Sequence, residues 1–398
     1  MIDFRPAILA VPGYVAGRRG SAADALNEGV AQLASNESPF PPLPSVRAAM
    51  ERSAAGVNRY PDIDGYELRG RLADIHGVQR DQVVLGCGSI EVCRQAVTVT
   101  AESGNEVVHA WPTFPEYGTI AALVGAKARR VPLTRASHDL GAIAAAVTER
   151  TRVVFVCNPN NPTGTAVSLA ELAELLARIP PRCLVVVDEA YAEFASAPGF
   201  GSAFGLLGMH ENLLVLRTFS KAYGLAGLRV GYGVTSSEVA SLLRLAKVPF
   251  SVNSLALAAA TASLDAGAEL AARVATLRAA RDKVAAQLTA RGWEVPPSQA
   301  NFVWIAADDS QAAAATRLCA DRRILVRPLP GGLRVTIGTE EENARLLDAL
   351  GSFVDLPPAS SAAEGPDHQN GQYPSSPLRN SKAPPAVASR PIQDAKGA

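Results

Sequence analysis

The hydrophobic positions of this chain follow one pattern in its first two thirds. Between about residues 80 and 235, short apolar runs rich in β-branched residues alternate with alanine- and leucine-rich stretches of helical character. Each run is continuous rather than alternating, which is typical of strands buried on both faces of a sheet. The runs lie at residues 82–85, 106–108, 152–156, 183–187 and 213–216. The pattern predicts an α/β fold with a mostly parallel sheet covered by helices.

The pattern changes after residue 254. An Ala/Leu/Arg-rich stretch predicts one long helix through about residue 291, and strand-like pieces follow at residues 301–305, 324–327 and 333–337. This arrangement predicts a smaller α+β domain, which we expect the N-terminal segment to join. The predicted division is an N-terminal segment at 1–44, a large domain at 45–254, a small domain at 255–355 and a tail at 356–398. The tail has too few large apolar residues to offset its ordering entropy, so we expect it to be disordered.

Composition narrows the class of protein. The 398 residues include 38 Lys and Arg and 38 Asp and Glu, a balance that argues against a nucleic-acid-binding surface. No apolar run approaches the roughly 20 residues that cross a bilayer, and the first residues lack the plan of a signal peptide. The five cysteines are scattered without a CxxC pair, which indicates reduced thiols rather than disulfides or metal ligands. We therefore expect a cytoplasmic enzyme without a metal site.

The most informative motif is Thr-Phe-Ser-Lys at residues 218–221, with Arg229 shortly after it. It directly follows the apolar run at 213–216, and open α/β sheets bind their ligands at the carboxyl ends of strands. A lysine beside a phosphate-binding arginine indicates an amine held against a phosphorylated aldehyde, as in a pyridoxal-phosphate Schiff base. An ordinary solvated lysine is the alternative when this motif is taken alone.

Two further strand ends carry residues that suit the same cofactor. The Gly-Cys-Gly-Ser turn at residues 86–89 precedes a predicted helix and can present backbone amides to an anion. It is not the dinucleotide fingerprint, because Glu91 stands where a third glycine is needed. Phe114, after the run at 106–108, can stack on a flat heteroaromatic ring. An ordinary turn and a core aromatic are the respective alternatives.

The next two strand ends supply an amide and a carboxylate. Asn161 lies in a turn rich in proline and glycine at residues 157–164, where its side chain can donate to a phenolate oxygen. Asp188 ends the run at 183–187, where a carboxylate can pair with a protonated pyridine nitrogen. A helix N-cap is the alternative role for Asp188. Several strand ends that suit one cofactor are more specific than any one of them.

Together these motifs resemble fold-type I pyridoxal-phosphate aminotransferases. The resemblance is to the group that contains histidinol-phosphate aminotransferases and their actinobacterial relatives acting on aromatic amino acids. It extends from about residue 14 to residue 350 and includes the motifs at 33–39, 59–62, 188–191 and 333–336. It implies a large domain with a mostly parallel sheet, a smaller α+β domain and pyridoxal 5′-phosphate as the cofactor.

The resemblance also implies a role for each matching residue. Lys221 would carry the cofactor as a Schiff base and move a proton between the substrate and the cofactor. Asp188 would hold the ring nitrogen, and Phe114 occupies the stacking position. The remaining cofactor contacts would be phosphate-binding residues Ser89, Ile90, Thr218, Ser220 and Arg229, and the phenolate-binding pair Asn161 and Tyr191.

Four more residues are implied to contact the substrate or a partner subunit. Arg334 would bind the substrate α-carboxylate as a bidentate pair. Tyr14 and Asn36 resemble residues of the N-terminal segment that closes over the substrate. Tyr60 resembles the tyrosine that reaches the phosphate of the neighbouring subunit, which implies a homodimer with shared sites.

The substrate is the least determined property. The resemblance implies amino-group transfer with 2-oxoglutarate and glutamate as one pair, and either an aromatic amino acid or histidinol phosphate on the other side. Ser251 replaces the usual asparagine of the histidinol-phosphate enzymes, and residues 36–41 also depart from their pattern. Residues 297–304 and 324–328 resemble the aromatic enzymes, whereas residues 112–114 are closer to the histidinol-phosphate type, and Arg327 could serve a phosphate. The aromatic interpretation is favoured.

Two other classes of protein share this scaffold. A pyridoxal-dependent decarboxylase of a phosphorylated amino acid would differ only in its products. A non-catalytic regulator would carry a DNA-binding domain ahead of the aminotransferase-like part. The balanced charge and a fold that begins close to residue 1 make the regulator the more remote alternative.

Overall fold

The computed structural model describes residues 5–9, 11 and 29–351. Tyr14 and the tail predicted to be disordered, residues 356–398, lie outside the described residues. Within the described part, no single helix is long and apolar enough to cross a membrane, and one sharply bent helix pair passes that test by length and composition. The strands of the described residues are β1 Ala31–Gln32, β2 Val83–Gly86, β3 Glu106–Trp111, β4 Lys127–Pro132, β5 Thr151–Cys157, β6 Leu184–Asp188, β7 Leu213–Thr218, β8 Gly231–Val234, β9 Phe302–Ala306, β10 Ile324–Leu325, β11 Arg327–Leu329 and β12 Gly332–Thr336.

Seven of these strands form one sheet in the order β2-β8-β7-β6-β5-β3-β4. Strands β7, β6, β5, β3 and β4 pair in parallel, and β8 is antiparallel to both of its neighbours. The five predicted strands of the large domain are confirmed. Strands β4 and β8 were missed because β4 is a charged edge strand and β8 reads Gly-Tyr-Gly-Val, neither of which is a continuous aliphatic run.

Helices cover both faces of this sheet. The α-helices of the described residues are Pro6–Leu9, Pro44–Ala54, Tyr66–His76, Ser89–Thr100, Glu116–Val124, Leu140–Ala145, Leu169–Arg178, Ser237–Leu245, Ser254–Asp265, Gly267–Ala290, Asp309–Asp321 and Glu340–Leu350. Short 3₁₀ helices lie at Arg80–Gln82, Ala192–Phe194, Ala203–Met209 and Ala226–Leu228. Within β5, Phe155 packs with the helix Ser89–Thr100 on one face, and Val154 packs with Leu172 on the other. Burial on both faces explains the continuous apolar runs.

The prediction of one long helix after residue 254 is wrong. The chain forms two helices, Ser254–Asp265 and Gly267–Ala290, which meet at an angle of 86°. Ala266 is the buried junction between them, and alanine carries no sign of a break in the sequence. After this change of direction, Val274 and Leu277 of the second helix pack in a hydrophobic cluster that is separate from those of the large sheet.

The second sheet is antiparallel, in the order β11-β12-β9. The predicted strand at 324–327 is in fact two strands, because β10 pairs with β1 and β11 pairs with β12. Strand β1, near the N-terminus, pairs in parallel with β10. The predicted domain boundaries themselves remain a prediction.

Candidate active site

The carboxyl ends of β5, β6 and β7 meet at one edge of the large sheet, because these strands are parallel neighbours. A cavity of about 600 Å³ opens there. The predicted cofactor residues Ser89, Ile90, Phe114, Asn161, Asp188, Tyr191, Thr218, Ser220, Lys221 and Arg229 all line it. Residues that are up to 140 positions apart in the chain are therefore walls of the same cavity.

Lys221 is the amine of this cavity. It follows β7 and its Nζ donates to the carbonyl oxygen of Ser35 at 3.1 Å. The pKa of Lys221 is lowered to about 8, chiefly by burial; the cationic Arg334 and Arg229 also lower it, whereas Glu37 and Asp188 raise it. The neutral amine, which is both a nucleophile and a proton acceptor, is therefore accessible near neutral pH.

The lining residues Ser89, Thr218, Ser220 and Arg229, together called the anion cup, have chemistry that suits a negative group. Ser89 begins the 12-residue helix Ser89–Thr100, whose N-terminal amides favour a negative group. The hydroxyl groups of Thr218 and Ser220 are 2.9 Å apart, and the exposed Arg229 adopts a left-handed conformation with φ of 60°. Gly88, just before Ser89, has a φ of 73°. Glycine is favoured there because residues with a side chain rarely adopt that conformation.

Asp188 is the carboxylate at the end of β6. It is 4 % exposed, and its Oδ2 accepts a hydrogen bond from the Tyr117 hydroxyl at 2.8 Å. The backbone N–H of Ala190 donates to Oδ1 at 3.2 Å. Burial raises the pKa of Asp188 to about 6, although both hydrogen bonds favour the carboxylate. An unpaired carboxylate this deep is costly, so the site suits a cationic ligand atom.

Two hydrogen-bond donors face the same region of the cavity. Asn161 follows β5, and its Oδ1 accepts from Nη1 of Arg334 at 2.5 Å. This contact directs the Asn161 amide nitrogen elsewhere as a donor. Tyr191 is 4 % exposed, and burial raises the pKa of its hydroxyl, so that the hydrogen is retained at neutral pH.

Arg334 stands on β12 of the small sheet. Its Nη2 donates to the carbonyl oxygen of Ala34 at 2.7 Å, and its guanidinium carbon lies 5.6 Å from the centre of the Phe302 ring. In the β11–β12 register, Arg327 is directly opposite Arg334. Cross-strand partners lie on the same face of a sheet, so this face of the small sheet carries two arginines.

Three of the predicted residues, Arg334, Tyr60 and Asn36, are not among the residues that line the cavity, although Arg334 contacts the lining residue Asn161. Tyr60 is 82 % exposed and its ring stacks on Phe250, with 4.5 Å between ring centres. Asn36 is 1 % exposed, and its side chain contacts Tyr191 and Thr336. Direct substrate contact by Asn36 stays a prediction.

The sequence interpretation missed several residues around the site. Tyr117 is one of them, because its hydroxyl contacts Asp188. Its position three residues after Phe114 is the available signal in the sequence. Ser35 and Glu37 also line the cavity; both belong to the motif at 33–39, which indicated no role for the backbone carbonyl of Ser35.

Residues 28–350 match the family described as aminotransferase class I and II. The chain therefore belongs to this family of enzymes. The fold and the cavity at the carboxyl ends of β5–β7 agree with that membership.

The relatives refine the comparison. A protein named aromatic amino acid aminotransferase from Thermobifida fusca is 48 % identical over 351 residues, covering 88 % of this chain and 96 % of that relative. One with the same name from Mycobacterium sp. strain KMS is 42 % identical over 361 residues, covering 89 % and 99 %. Among solved structures, histidinol-phosphate aminotransferase from Sinorhizobium meliloti in complex with pyridoxal-5′-phosphate has a TM-score of 0.80 at 29 % identity. That similarity covers 87 % of this chain and 96 % of the other.

Proposed function

We propose that this enzyme transfers the amino group between an aromatic L-amino acid and 2-oxoglutarate, using pyridoxal 5′-phosphate, and yields an aromatic 2-oxo acid and L-glutamate. The observation that carries the proposal is the position of Lys221 and Asp188 in the walls of one cavity that also holds an anion cup. The names of the 42–48 % identical relatives support the aromatic substrate. We also propose a cytoplasmic location, because the five scattered cysteines are free thiols and such thiols persist in reducing compartments.

The residues present fit the cofactor. The cup of Ser89, Thr218, Ser220 and Arg229 suits a phosphate, and the buried Asp188 carboxylate suits a protonated ring nitrogen. When bound, pyridoxal phosphate supplies an electron sink for the charge that develops at the substrate Cα. The chain supplies the binding groups and the proton transfer.

Each polar residue then has one task. Arg334 binds the α-carboxylate and so orients the Cα–H bond of the substrate. The Lys221 amine accepts and returns the proton, for which its pKa of about 8 is suited. Asp188 keeps the ring nitrogen protonated. Asn161 and Tyr191 donate to the phenolate oxygen and hold the ring in register.

Arg334→Lys is expected to lower kcat/KM about 10²-fold for the amino acid and the oxo acid alike. Lysine keeps the charge but cannot form the bidentate pair, and a hydrogen bond to a charged group is worth about 1.5–3 kcal/mol. Steady-state kinetics with both substrates measures the change. Arg345→Lys, at a half-buried arginine of the last helix that does not line the cavity, is the matched control and should leave kcat/KM unchanged. An Arg334→Lys enzyme with normal KM values would contradict the assignment.

A second substrate is favoured by one observation, the position of Arg327 opposite Arg334. An additional cation beside the carboxylate site suits the phosphate of histidinol phosphate.

The purified enzyme is expected to prefer phenylalanine or tyrosine over histidinol phosphate in kcat/KM, with 2-oxoglutarate as the acceptor. A preference of tenfold or more for histidinol phosphate would overturn the aromatic substrate and leave aminotransfer intact. Formation of an amine and carbon dioxide instead of an oxo acid would indicate the decarboxylase alternative.

We also propose a homodimer in which Tyr60 completes the cup of the partner. Tyr60 and Phe250 form an exposed aromatic stack, and Val57, Ile63 and Val248 nearby in sequence are exposed as well. Large exposed apolar groups of this kind are typical of interaction surfaces. Analytical ultracentrifugation that finds only monomers at micromolar concentration would contradict this arrangement.

A further inference from the structure

Three consecutive residues of the N-terminal segment contact three functional side chains. The carbonyl oxygen of Ala34 accepts from Arg334, and that of Ser35 accepts from Lys221. Asn36 follows, and its Nδ2 donates to the Tyr191 hydroxyl oxygen at 3.0 Å. The first two contacts use the backbone, whereas the third uses a side chain and therefore depends on the residue type.

The conformation of Asn36 is closely constrained. Its φ is 54°, in the left-handed region that asparagine tolerates better than most residues. Its backbone N–H donates to Oγ1 of Thr336 at 2.9 Å, and its carbonyl oxygen accepts from Asn301 at 3.2 Å. These bonds hold the residue at 1 % exposure in contact with Tyr191, and Asn36 is not among the residues that line the cavity.

The amide orientation follows from the hydrogens available. Thr336 is 1 % exposed, and within the described residues the acceptor recorded for its hydroxyl hydrogen is Oδ1 of Asn36 at 3.2 Å. Exchanging the amide oxygen and nitrogen of Asn36 would leave that buried hydrogen without its acceptor, which costs free energy. With Oδ1 occupied by Thr336, Nδ2 faces Tyr191 as a donor.

The hydrogen bond donated by Asn36 Nδ2 decides where the Tyr191 hydroxyl hydrogen points. A phenolic hydroxyl has one hydrogen to donate, and Asn36 Nδ2 offers no lone pair to receive it. The oxygen of Tyr191 is thus occupied on the Asn36 side by an incoming hydrogen bond. Its own hydrogen is directed to the other side, where Tyr191 lines the cavity.

We propose that Asn36 is a positioning residue that directs the Tyr191 hydroxyl hydrogen into the cavity, toward an anionic oxygen of the bound cofactor. This inference rests on the proposed function, because it concerns the cofactor site. It assigns Asn36 a role that acts through Tyr191 and requires no contact with the substrate.

Asn36→Asp is the sharpest test because aspartate has the same shape and also tolerates a positive φ. Its carboxylate accepts where the amide donated, so the Tyr191 hydrogen turns away from the cavity. The measurement is the midpoint pH of the absorbance change of the protein–pyridoxal-phosphate complex, which reports stabilisation of the anionic oxygen. The midpoint is expected to rise by about one unit more with Tyr191 present than in the Tyr191→Phe background. The comparison between backgrounds removes the direct effect of the new charge.

Asn36→Gly is the neutral companion variant. Glycine adopts a φ of 54° without strain and deletes the donor, so a smaller rise is expected that also disappears in the Tyr191→Phe background. If the aspartate variant does not fold, the Asn36→Gly variant alone tests the proposal. A purely structural role would lower the thermal unfolding midpoint without moving the absorbance midpoint.

The outcomes separate the two proposals. Equal shifts in both backgrounds, with cofactor taken up, would overturn the role of Asn36 alone. Failure of the unsubstituted protein to take up pyridoxal phosphate would contradict the proposed function and this inference with it. A shift that requires Tyr191 supports both.

Discussion

Lys221→Ala is expected to abolish transamination and covalent attachment of the cofactor together. The variant loses the only lysine that lines the cavity within the described residues. A positioned acid–base group contributes about 10²–10⁴-fold to rate, so kcat should fall by at least about 10³-fold when the attachment is also lost. The measurements are single-turnover kinetics and the mass of the protein after borohydride reduction with pyridoxal phosphate.

A lysine far from the cavity is the control for this variant. Lys283 is exposed and lies 3.7 Å from Glu340 in an ion pair at the surface. Lys283→Ala should retain full turnover and the mass increase after reduction. Retained turnover in Lys221→Ala would overturn the whole assignment, whereas loss of turnover in both variants would point to a general effect on folding.

Asp188→Asn is expected to lower kcat about 10²–10⁴-fold with the cavity shape unchanged. Removing one partner of a buried charge pair costs about 3–5 kcal/mol, which corresponds to this range of rates. Affinity for pyridoxal phosphate should fall as well, and equilibrium dialysis measures it. Asp321→Asn, at an exposed helix end, is the matched control.

The pH dependence gives a second readout at the same residue. Burial raises the pKa of Asp188 to about 6 in the cofactor-free protein, so the carboxyl becomes neutral as the pH falls below that value. Cofactor affinity should therefore weaken below about pH 6, and the Asp188→Asn variant should lack this dependence. Tyr117→Phe removes a hydrogen bond that favours the carboxylate, so it should move the transition to higher pH. An unchanged profile in both variants would exclude Asp188 as the partner of the ring nitrogen.

Much of the site could be predicted from local sequence because its residues follow strands. Asp188 ends β6, Asn161 and Lys221 come a few residues after β5 and β7, and parallel strands place their carboxyl ends together. Their placement in one cavity follows from that rule. The role of each residue remains a proposal that the variants above test.

The elements that were missed lack such a local signal. Strand β8 contains two glycines, and the chain reverses direction there, which apolar patterning does not report. The sequence gives no sign of the bend at Ala266 either, because alanine is the strongest helix former. The hydrogen bond from Tyr117 to Asp188 joins residues 71 positions apart. Its existence depends on the packing of a helix over the sheet.

The sequence by itself determined the α/β class, the order of the strand-end motifs and the lysine, carboxylate and arginine of the candidate site. These properties follow from short-range patterns: strand periodicity, turn residues and the side chain after each strand. Only the tertiary structure decided that Ala34, Ser35 and Asn36 contact Arg334, Lys221 and Tyr191. The direction of a hydrogen bond depends on distances between atoms that are far apart in the chain, and the folded backbone alone sets those distances.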